Sequence, residues 1–190
     1  MNIKNYFDKS VDFVLKRLAE LSGLMLVALS IFLFTSLISY SPEDPNFIFP
    51  DNTEIKNILG IKGSYVSDLF YQSIGLISIL IPFSILFTGI SVIKHKKLLI
   101  IIENLFFVIL YSIVGSLFFT VFHQETFWLT INGNNGFVGN LFKENFLIDL
   151  VKLNQDISYY LLILIISIIF LFSINFNLKS NFNYLLKLFS

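Results

Sequence analysis

Four long apolar runs constrain this chain more than any other feature of its sequence. The hydrocarbon core of a bilayer is about 30 Å thick, and a helix that rises about 1.5 Å per residue needs about 20 apolar residues to cross it. The runs lie at about 21–40, 69–93, 98–122 and 157–178, and Glu103 is the one charged residue within them. The sequence therefore predicts an all-α membrane protein, with four transmembrane helices packed as a bundle and short helical pieces in the two longer loops.

The composition excludes most soluble folds. Charged residues make up 14% of the chain, whereas an ordinary soluble domain carries about 25%. The 11 Leu, Ile, Val and Phe residues in 21–40 favour membrane insertion by about 3 to 7 kcal/mol. That run is too long for a cleavable signal peptide and is followed by no small-residue cleavage site, so we expect a retained signal anchor.

Basic and acidic residues separate onto opposite sides of the four predicted spans. Nine basic and three acidic residues lie in the N-terminal tail, in the connection between the second and third runs, and in the C-terminal tail, and Glu103, near the start of the third run, is counted on the same side as a fourth acidic residue. Four basic and nine acidic residues lie in the other two connections, so the formal charges are +5 and −5. Because basic residues stay on the cytoplasmic side, both termini are predicted in the cytoplasm, with residues 41–68 and 123–156 outside.

Both tails are therefore assigned to the cytoplasmic side. Residues 1–20 form a short interfacial helix on the anionic inner leaflet, or they continue the first span. Four apolar residues of this tail share one helical face: Phe7, Val11, Val14 and Leu18. Residues 179–190 are expected to be a cytoplasmic tail or the start of a linker, and they contain no nucleotide-binding pattern.

The first predicted outer loop reads as a compact structured segment. Pro42 and Pro45 cannot continue the helix and end the first span sharply. A short helical piece is expected at residues 54–59, and Gly60 is expected to stop it as a C-cap. The next helix is then expected to be capped by one of two serines, Ser64 or Ser67.

The second predicted outer loop contains a turn at residues 132–136, which read Asn-Gly-Asn-Asn-Gly. Residues 137–153 are expected to hold a short amphipathic helix. Aromatic side chains from both loops are expected near the headgroups, where aromatic belts form: Phe47, Phe49, Phe127 and Trp128.

The sequence offers no catalytic, cofactor-binding or metal-binding constellation. The phosphate-loop pattern G-x-x-x-x-G-K-[ST] does not occur, and His95 and His123 are predicted on opposite sides of the membrane. Glu103 is expected to pair with the lysines at 94–97. The alternative function is a small multi-pass transporter or channel subunit, which would need a polar lining with Glu103 facing water.

Small residues in the middle spans predict close helix packing. Ser84 and Thr88 follow small-x-x-x-small spacing, as do Ser112 and Ser116, and such residues let helices approach closely. The contact lies within one chain or between copies. Pro82, in the middle of the second run, predicts a kink in that helix.

Two segments resemble a known family. Residues 39–47 read Ser-Tyr-Ser-Pro-Glu-Asp-Pro-Asn-Phe, and residues 57–68 read Asn-x-x-Gly-x-x-Gly-Ser-x-x-Ser-Asp. Both are similar to motifs around the first outer loop of FtsK/SpoIIIE-type DNA translocases, although Asn46 stands where the family usually has Ser. The residues that carry the resemblance are Tyr40, Pro42, Asp44, Pro45, Asn57, Gly60, Gly63, Asp68, Gly75 and Pro82.

The resemblance implies that the chain is the N-terminal four-span membrane domain of such a translocase. In that family the domain anchors a cytoplasmic DNA motor at the division septum of the bacterial inner membrane, helps to assemble the division machinery and supports oligomerisation. The resemblance thus implies a homo-oligomer with other division proteins and the lipid bilayer as partners. No cofactor, ATP hydrolysis or direct nucleic acid binding is expected on this chain.

Overall fold

The computed structural model describes residues 3–46, 54–123, 129, 131–143 and 146–175. Within those ranges the regular backbone is helical, with no strand. The elements are α1 (Ile3–Ile38), α2 (Gly60–Ile74), a 3₁₀ segment (Gly75–Leu80), α3 (Ile81–His95), α4 (Leu99–Phe122), α5 (Gly136–Leu141), α6 (Phe146–Lys152) and α7 (Gln155–Ser173).

Four stretches are long and apolar enough to cross a membrane, which confirms the predicted all-α four-span architecture. They are Asp8–Ile38, Gly60–His95, Leu99–Phe122 and Gln155–Ser173. The second stretch combines α2, the 3₁₀ segment and α3 into one path. We call the end of the bundle that carries the two long connections the loop end, and the end at the Lys96 turn the basic end.

The bundle consists of two helix pairs, in which α1 packs along α3 and α4 packs along α7. Glycine lets α1 and α3 pack closely. A Cβ added to Gly23 would lie only 2.8 Å from the carbonyl oxygen of Gly89, so a larger residue would not fit there without a shift. Between the pairs, the side chains of Leu37, Tyr71 and Tyr111 form part of a fully covered apolar core.

Polar side chains join the two pairs inside the bundle. Asn104 Nδ2 donates a hydrogen bond to Thr88 Oγ1 at 2.8 Å. The Ser84 hydroxyl lies 3.1 Å from the Tyr111 hydroxyl and 2.7 Å from that of Ser173. Ser84 and Thr88 of α3 therefore take part in contacts within one chain.

The start of the second span differs from the sequence prediction. Residues 54–59 are not helical, and Gly60 begins α2 instead of ending a preceding helix. Ser64 and Ser67 consequently lie inside α2 and do not cap it. The reason is that Gly60 adopts φ +65° and donates its amide to the Asn57 carbonyl at 2.9 Å, which closes a turn immediately before α2.

The irregularity in the second span lies before Pro82 and not at it. The helix changes to 3₁₀ geometry at Gly75, whose φ is +75°, and returns to α geometry at Ile81. Pro82 occupies the first turn of α3, where a missing backbone amide removes no helical hydrogen bond. The predicted kink is therefore a 3₁₀ segment that starts seven residues upstream.

At the basic end, α1 runs without a break from the tail into the first span, so the tail is a continuation of that span. Lys96 Nζ forms an ion pair with Glu20 at 2.7 Å. The prediction that Glu103 pairs with this turn is wrong: its side chain is exposed and forms no ion pair with the described residues. Glu20 reaches the turn because α1 packs directly on α3.

In the second long connection, the predicted turn at 132–136 is confirmed. The helix predicted at 137–153 is two short helices, α5 and α6, and α7 begins with Asn154 as N-cap, whose Oδ1 accepts from the Ile157 amide at 3.3 Å. Residues 179–190 and the four aromatic residues Phe47, Phe49, Phe127 and Trp128 lie outside the described residues.

Candidate functional site at the loop end

Asp44 organises the first long connection. Its side chain is 2% exposed, and its two carboxylate oxygens accept the backbone amides of Lys56 and Asn57, each at 2.8 Å. Hydrogen bonds to a carboxylate are stronger than those between neutral groups. The carboxylate therefore holds the chain at 56–57 against the end of α1.

Asn57 fastens that segment to α1. Its Nδ2 donates to the carbonyl oxygens of Ser36 at 2.9 Å and Ser39 at 3.2 Å, while its Oδ1 accepts the Leu59 amide at 3.1 Å. The last carbonyls of a helix have no partner within the helix. The amide of Asn57 supplies that partner and so acts as a C-terminal cap from a distant part of the chain.

Gly63 lets α2 approach this cap. A Cβ at this position would collide with Asn57 Oδ1, so a larger residue would displace the asparagine. The Ser36 hydroxyl donates to the Gly63 carbonyl, and the Ser64 hydroxyl donates to the Pro45 carbonyl. Pro45 is fully buried at this point, between the end of α1 and the start of α2.

Tyr40 and Asp68 form a second polar contact between α1 and α2. The Tyr40 hydroxyl donates to Asp68 Oδ1 at 3.4 Å, and Gln72 Nε2 donates to the same oxygen at 3.3 Å. The Tyr40 ring packs on Tyr71, with centroids 4.9 Å apart. Burial, followed by the charge of Asp68, raises the pKa of the Tyr40 hydroxyl, which therefore remains a donor.

The second long connection docks on the 3₁₀ segment. The Leu76 amide donates to the Asn134 carbonyl at 2.9 Å, and Asn132 Nδ2 donates to the Gln72 carbonyl at 3.2 Å. A Cβ on Gly75 would collide with the Asn134 backbone. Positive φ and lack of space thus both require glycine at residue 75.

Eight of the ten residues that carry the family resemblance meet at the loop end: Tyr40, Pro42, Asp44, Pro45, Asn57, Gly60, Gly63 and Asp68. Gly75 lies deeper, against the second connection. Pro82 is separate, and its carbonyl accepts the Ser30 hydroxyl at 2.7 Å. Sequence analysis did not identify the partner groups Ser36, Ser39 and Asn134. Ser36 and Ser39 lie in the first apolar run and Asn134 lies in a turn, so no local pattern marks them.

The polar atoms of the motif face inward, and a different set of side chains faces outward. Ile58 is 72% exposed, and Ile55 and Ile61 are also exposed. Beside them Lys56 and Glu43 form an exposed ion pair. The Lys56 hydrogen bond lowers the pKa of the Glu43 carboxyl, and the same contact raises the pKa of Lys56.

The loop end holds few titratable side chains that lie close together. Among the described residues, no group of three His, Asp or Glu side chains could hold a metal ion. His95 ends α3 at the basic end, whereas His123 follows α4 at the loop end. At its surface the loop end presents three exposed isoleucines and one exposed ion pair.

The helices and the loop end define a multi-pass membrane protein whose loop end is held by side-chain hydrogen bonds to the backbone. Residues 15–181 match the family model for the 4TM region of DNA translocase FtsK/SpoIIIE. Because that match covers most of the chain, the chain belongs to this family.

Relatives carry the same family name. A DNA translocase FtsK from Rickettsia typhi is 29% identical over 133 residues, which are 70% of this chain and 18% of that protein. One from Rickettsia prowazekii is 28% identical over 145 residues, 75% of this chain and 19% of that protein. One from Bradyrhizobium diazoefficiens is 32% identical over 81 residues, 43% of this chain and 10% of that protein. The chain thus spans less than a fifth of these relatives, and no solved structure matches it.

Proposed function

We propose that the chain is the membrane anchor and assembly module of a septal DNA translocase that acts in cell division and chromosome segregation. The observation that carries the proposal is the family match over residues 15–181, which covers the last three spans completely and most of the first. Its physical role is to confine an attached cytoplasmic motor to the membrane, which raises the effective concentration of the motor near its partners. ATP hydrolysis and DNA binding belong to that motor and not to this segment.

The proposed location is the bacterial inner membrane with both termini in the cytoplasm. The charge difference between the two sides, +5 against −5, supports this orientation. The ion pair between Glu20 and Lys96 supports a position of the basic end at the level of the lipid headgroups on the cytoplasmic side.

The proposed partners at the loop end are other division proteins. Asp44 and Asn57 hold the connection rigidly, and the rim formed by Ile55, Ile58 and Ile61 remains exposed. Such a rim would lose little conformational entropy on binding, because its backbone is already fixed. In this proposal the motif residues shape the surface and the rim contacts the partner.

The alternative, a transporter or channel subunit, is less well supported. It would need a polar path with Glu103 inside it, whereas Glu103 lies on the exposed surface near the start of α4. The interior polar groups Asn104, Thr88 and Ser84 bond to one another or to neighbouring backbone.

The test is the position of the chain in dividing cells. A fluorescent protein joined after Ser190 should concentrate at the septum, compared with a second multi-pass membrane protein that has no division role and carries another colour. Equal distribution of both colours around the cell would contradict the proposed function. Ile58→Ser in the same fusion should reduce septal enrichment while membrane insertion persists.

A further inference from the structure

The second apolar stretch is longer than one crossing of a bilayer requires. It covers 36 residues, Gly60–His95, which would form a straight helix about 54 Å long at about 1.5 Å per residue. The hydrocarbon core is only about 30 Å thick and needs about 20 residues. The 3₁₀ segment has 6 residues and α3 has 15, so these two elements cross it without α2.

Hydrogen bonds between helices fix the relative heights of their residues along the bundle axis. The Ser30 hydroxyl donates to the Pro82 carbonyl at 2.7 Å, so these residues share one height, which we call the reference height. Asn104 Nδ2 donates to Thr88 Oγ1 at 2.8 Å, which gives Asn104 and Thr88 a second common height. Thr88 follows Pro82 by six residues, so the second height lies about 9 Å nearer the basic end.

Both ends of α2 are bonded to the bundle at one height. Near its start, the Gly63 carbonyl accepts the Ser36 hydroxyl, and Ser36 lies about 9 Å from the reference height towards the loop end. At its end, the Ile74 carbonyl accepts the Ser116 hydroxyl at 2.8 Å. Ser116 follows Asn104 by 12 residues, or about 18 Å, so it too lies about 9 Å from the reference height towards the loop end.

The helix α2 therefore runs nearly perpendicular to the bundle axis. Gly63 and Ile74 are 11 residues apart, which is about 16 Å of helix, yet their bonding partners on α1 and α4 share one height. A helix that crosses the bilayer would instead place its two ends at clearly different heights.

The height of α2 corresponds to the edge of the hydrocarbon at the loop end. Glu20 forms an ion pair with Lys96 and lies about 15 Å from the reference height towards the basic end. With a hydrocarbon core of about 30 Å, the opposite edge lies about 15 Å from the reference height, and α2 lies about 6 Å inside it. Interfacial helices lie at such depths, about 5 to 10 Å into the boundary between headgroups and acyl chains.

The two faces of α2 fit contact with lipid. The face towards the bundle carries the buried residues of the helix, which are mostly small or polar: Gly63, Ser64, Ser67, Asp68 and Tyr71. At about 100° per residue, Lys62, Val66 and Leu69 lie on the opposite face. Leu69 is 53% exposed, and Lys62 is exposed and forms no ion pair with the described residues. Such a lysine can place its stem along apolar surface and its ammonium among headgroups.

We propose that α2 lies in the plane of the membrane leaflet at the loop end, with Leu69 against acyl chains and the Lys62 ammonium at phospholipid phosphates. The second crossing then begins at Gly75, whose φ of +75° turns the chain from the leaflet plane into the 3₁₀ segment. Phospholipid is the occupant that the depth of α2 selects, and the unpaired charge of Lys62 complements its phosphate. This placement is independent of the septal role.

The test measures the depth of spin labels in the full chain, reconstituted in vesicles of phosphatidylethanolamine and phosphatidylglycerol. The chain has no cysteine, so each variant carries one label: Lys62→Cys, Val66→Cys or Leu69→Cys in α2. The matched controls have the same spacing on the exposed face of α4: Ile102→Cys, Phe106→Cys and Ile109→Cys. Collision with oxygen and with a water-soluble nickel chelate reports the depth of each label, in variants that keep the unfolding midpoint of the natural chain.

The three labels in α2 should lie within about 3 Å of one depth, near the headgroups, whereas those in α4 should deepen by about 10 Å from residue 102 to residue 109. An equally steep change in α2 would overturn the proposal, because α2 would then cross the leaflet. Free collision of all three α2 labels with the nickel chelate would place this face in water and overturn it as well. Protection from both reagents would mean that protein covers the face, which would equally contradict lipid contact.

Discussion

Asp44 and Asn57 lie 13 residues apart in the chain, and Asp44 Oδ2 accepts the Asn57 backbone amide at 2.8 Å. Asn57 in turn donates its side-chain amide to the Ser36 carbonyl near the end of α1. The two residues thus link the first long connection to the first span without any metal or disulfide in the described part. This link fixes where the exposed isoleucine rim stands.

Replacing Asp44 by Ala should destabilise the folded chain by about 1–3 kcal/mol, because the buried amide of Asn57 and the partly buried amide of Lys56 lose their acceptor. Asp44→Asn keeps one acceptor oxygen and should fall between Ala and the natural residue. The measurement is thermal unfolding in detergent. The control is Glu43→Gln, whose exposed ion pair should leave the midpoint nearly unchanged; equal loss in the control would contradict the role given to Asp44.

Asn57→Asp should be more harmful than Asn57→Ala. The alanine removes the donor to Ser36 and Ser39 and the acceptor of the Leu59 amide, at about 1–3 kcal/mol for the buried groups left unpaired. The aspartate places a negative oxygen against those same carbonyls and beside Asp44. Unfolding midpoints of the two variants, measured side by side, check this order, and an aspartate variant as stable as the natural chain would refute it.

Gly23→Ala should loosen the contact between α1 and α3, although alanine favours a helix by about 1 kcal/mol over glycine. The added Cβ would lie 2.6 Å from Ile93 Cγ1 and 2.8 Å from the Gly89 carbonyl oxygen. We therefore expect a lower unfolding midpoint despite the gain in propensity. A higher unfolding midpoint would contradict this expectation and mean that α3 moves away from the added Cβ without loss of stability.

The Glu43 carboxyl should titrate below its ordinary pKa of 4.5, since Lys56 donates a hydrogen bond to it. With a lowered folded-state pKa, the stabilisation is present above the unfolded pKa and is lost as the pH falls through the folded value. A carbon-detected NMR titration of the Glu43 side chain checks this. In Lys56→Ala the pKa should return towards 4.5, and an unchanged value would show that the ion pair does not form.

Reporter fusions should place the two ends of the bundle on opposite sides of the membrane. A fusion after Ser190 should be active only as a cytoplasmic reporter, and one at about residue 50 only as an external reporter, because of the charge difference between the sides. Replacing Lys94, Lys96 and Lys97 by glutamine should weaken the preference for this orientation. The reverse activity pattern would contradict the predicted orientation.

Much of the fold follows from the chain itself. Helices were expected wherever about 20 apolar residues occur together, since the bilayer leaves no alternative partner for the backbone amides. The irregularity in the second span was harder to predict: Pro82 is the helix breaker that the sequence shows, but the change to 3₁₀ geometry begins at Gly75. Gly75 matters because Asn134 packs on it, and that contact joins segments about 60 residues apart.

The sequence by itself determined the number of spans, the separation of charge between the two sides and the motif residues of the first long connection. Tertiary structure alone decided that α2 begins at Gly60, that Glu20 and not Glu103 pairs with the basic turn, and that Asn57, held by Asp44, caps α1. Hydropathy acts on each residue separately and can be summed along a chain. A hydrogen bond between distant residues exists only after packing has brought its two atoms together.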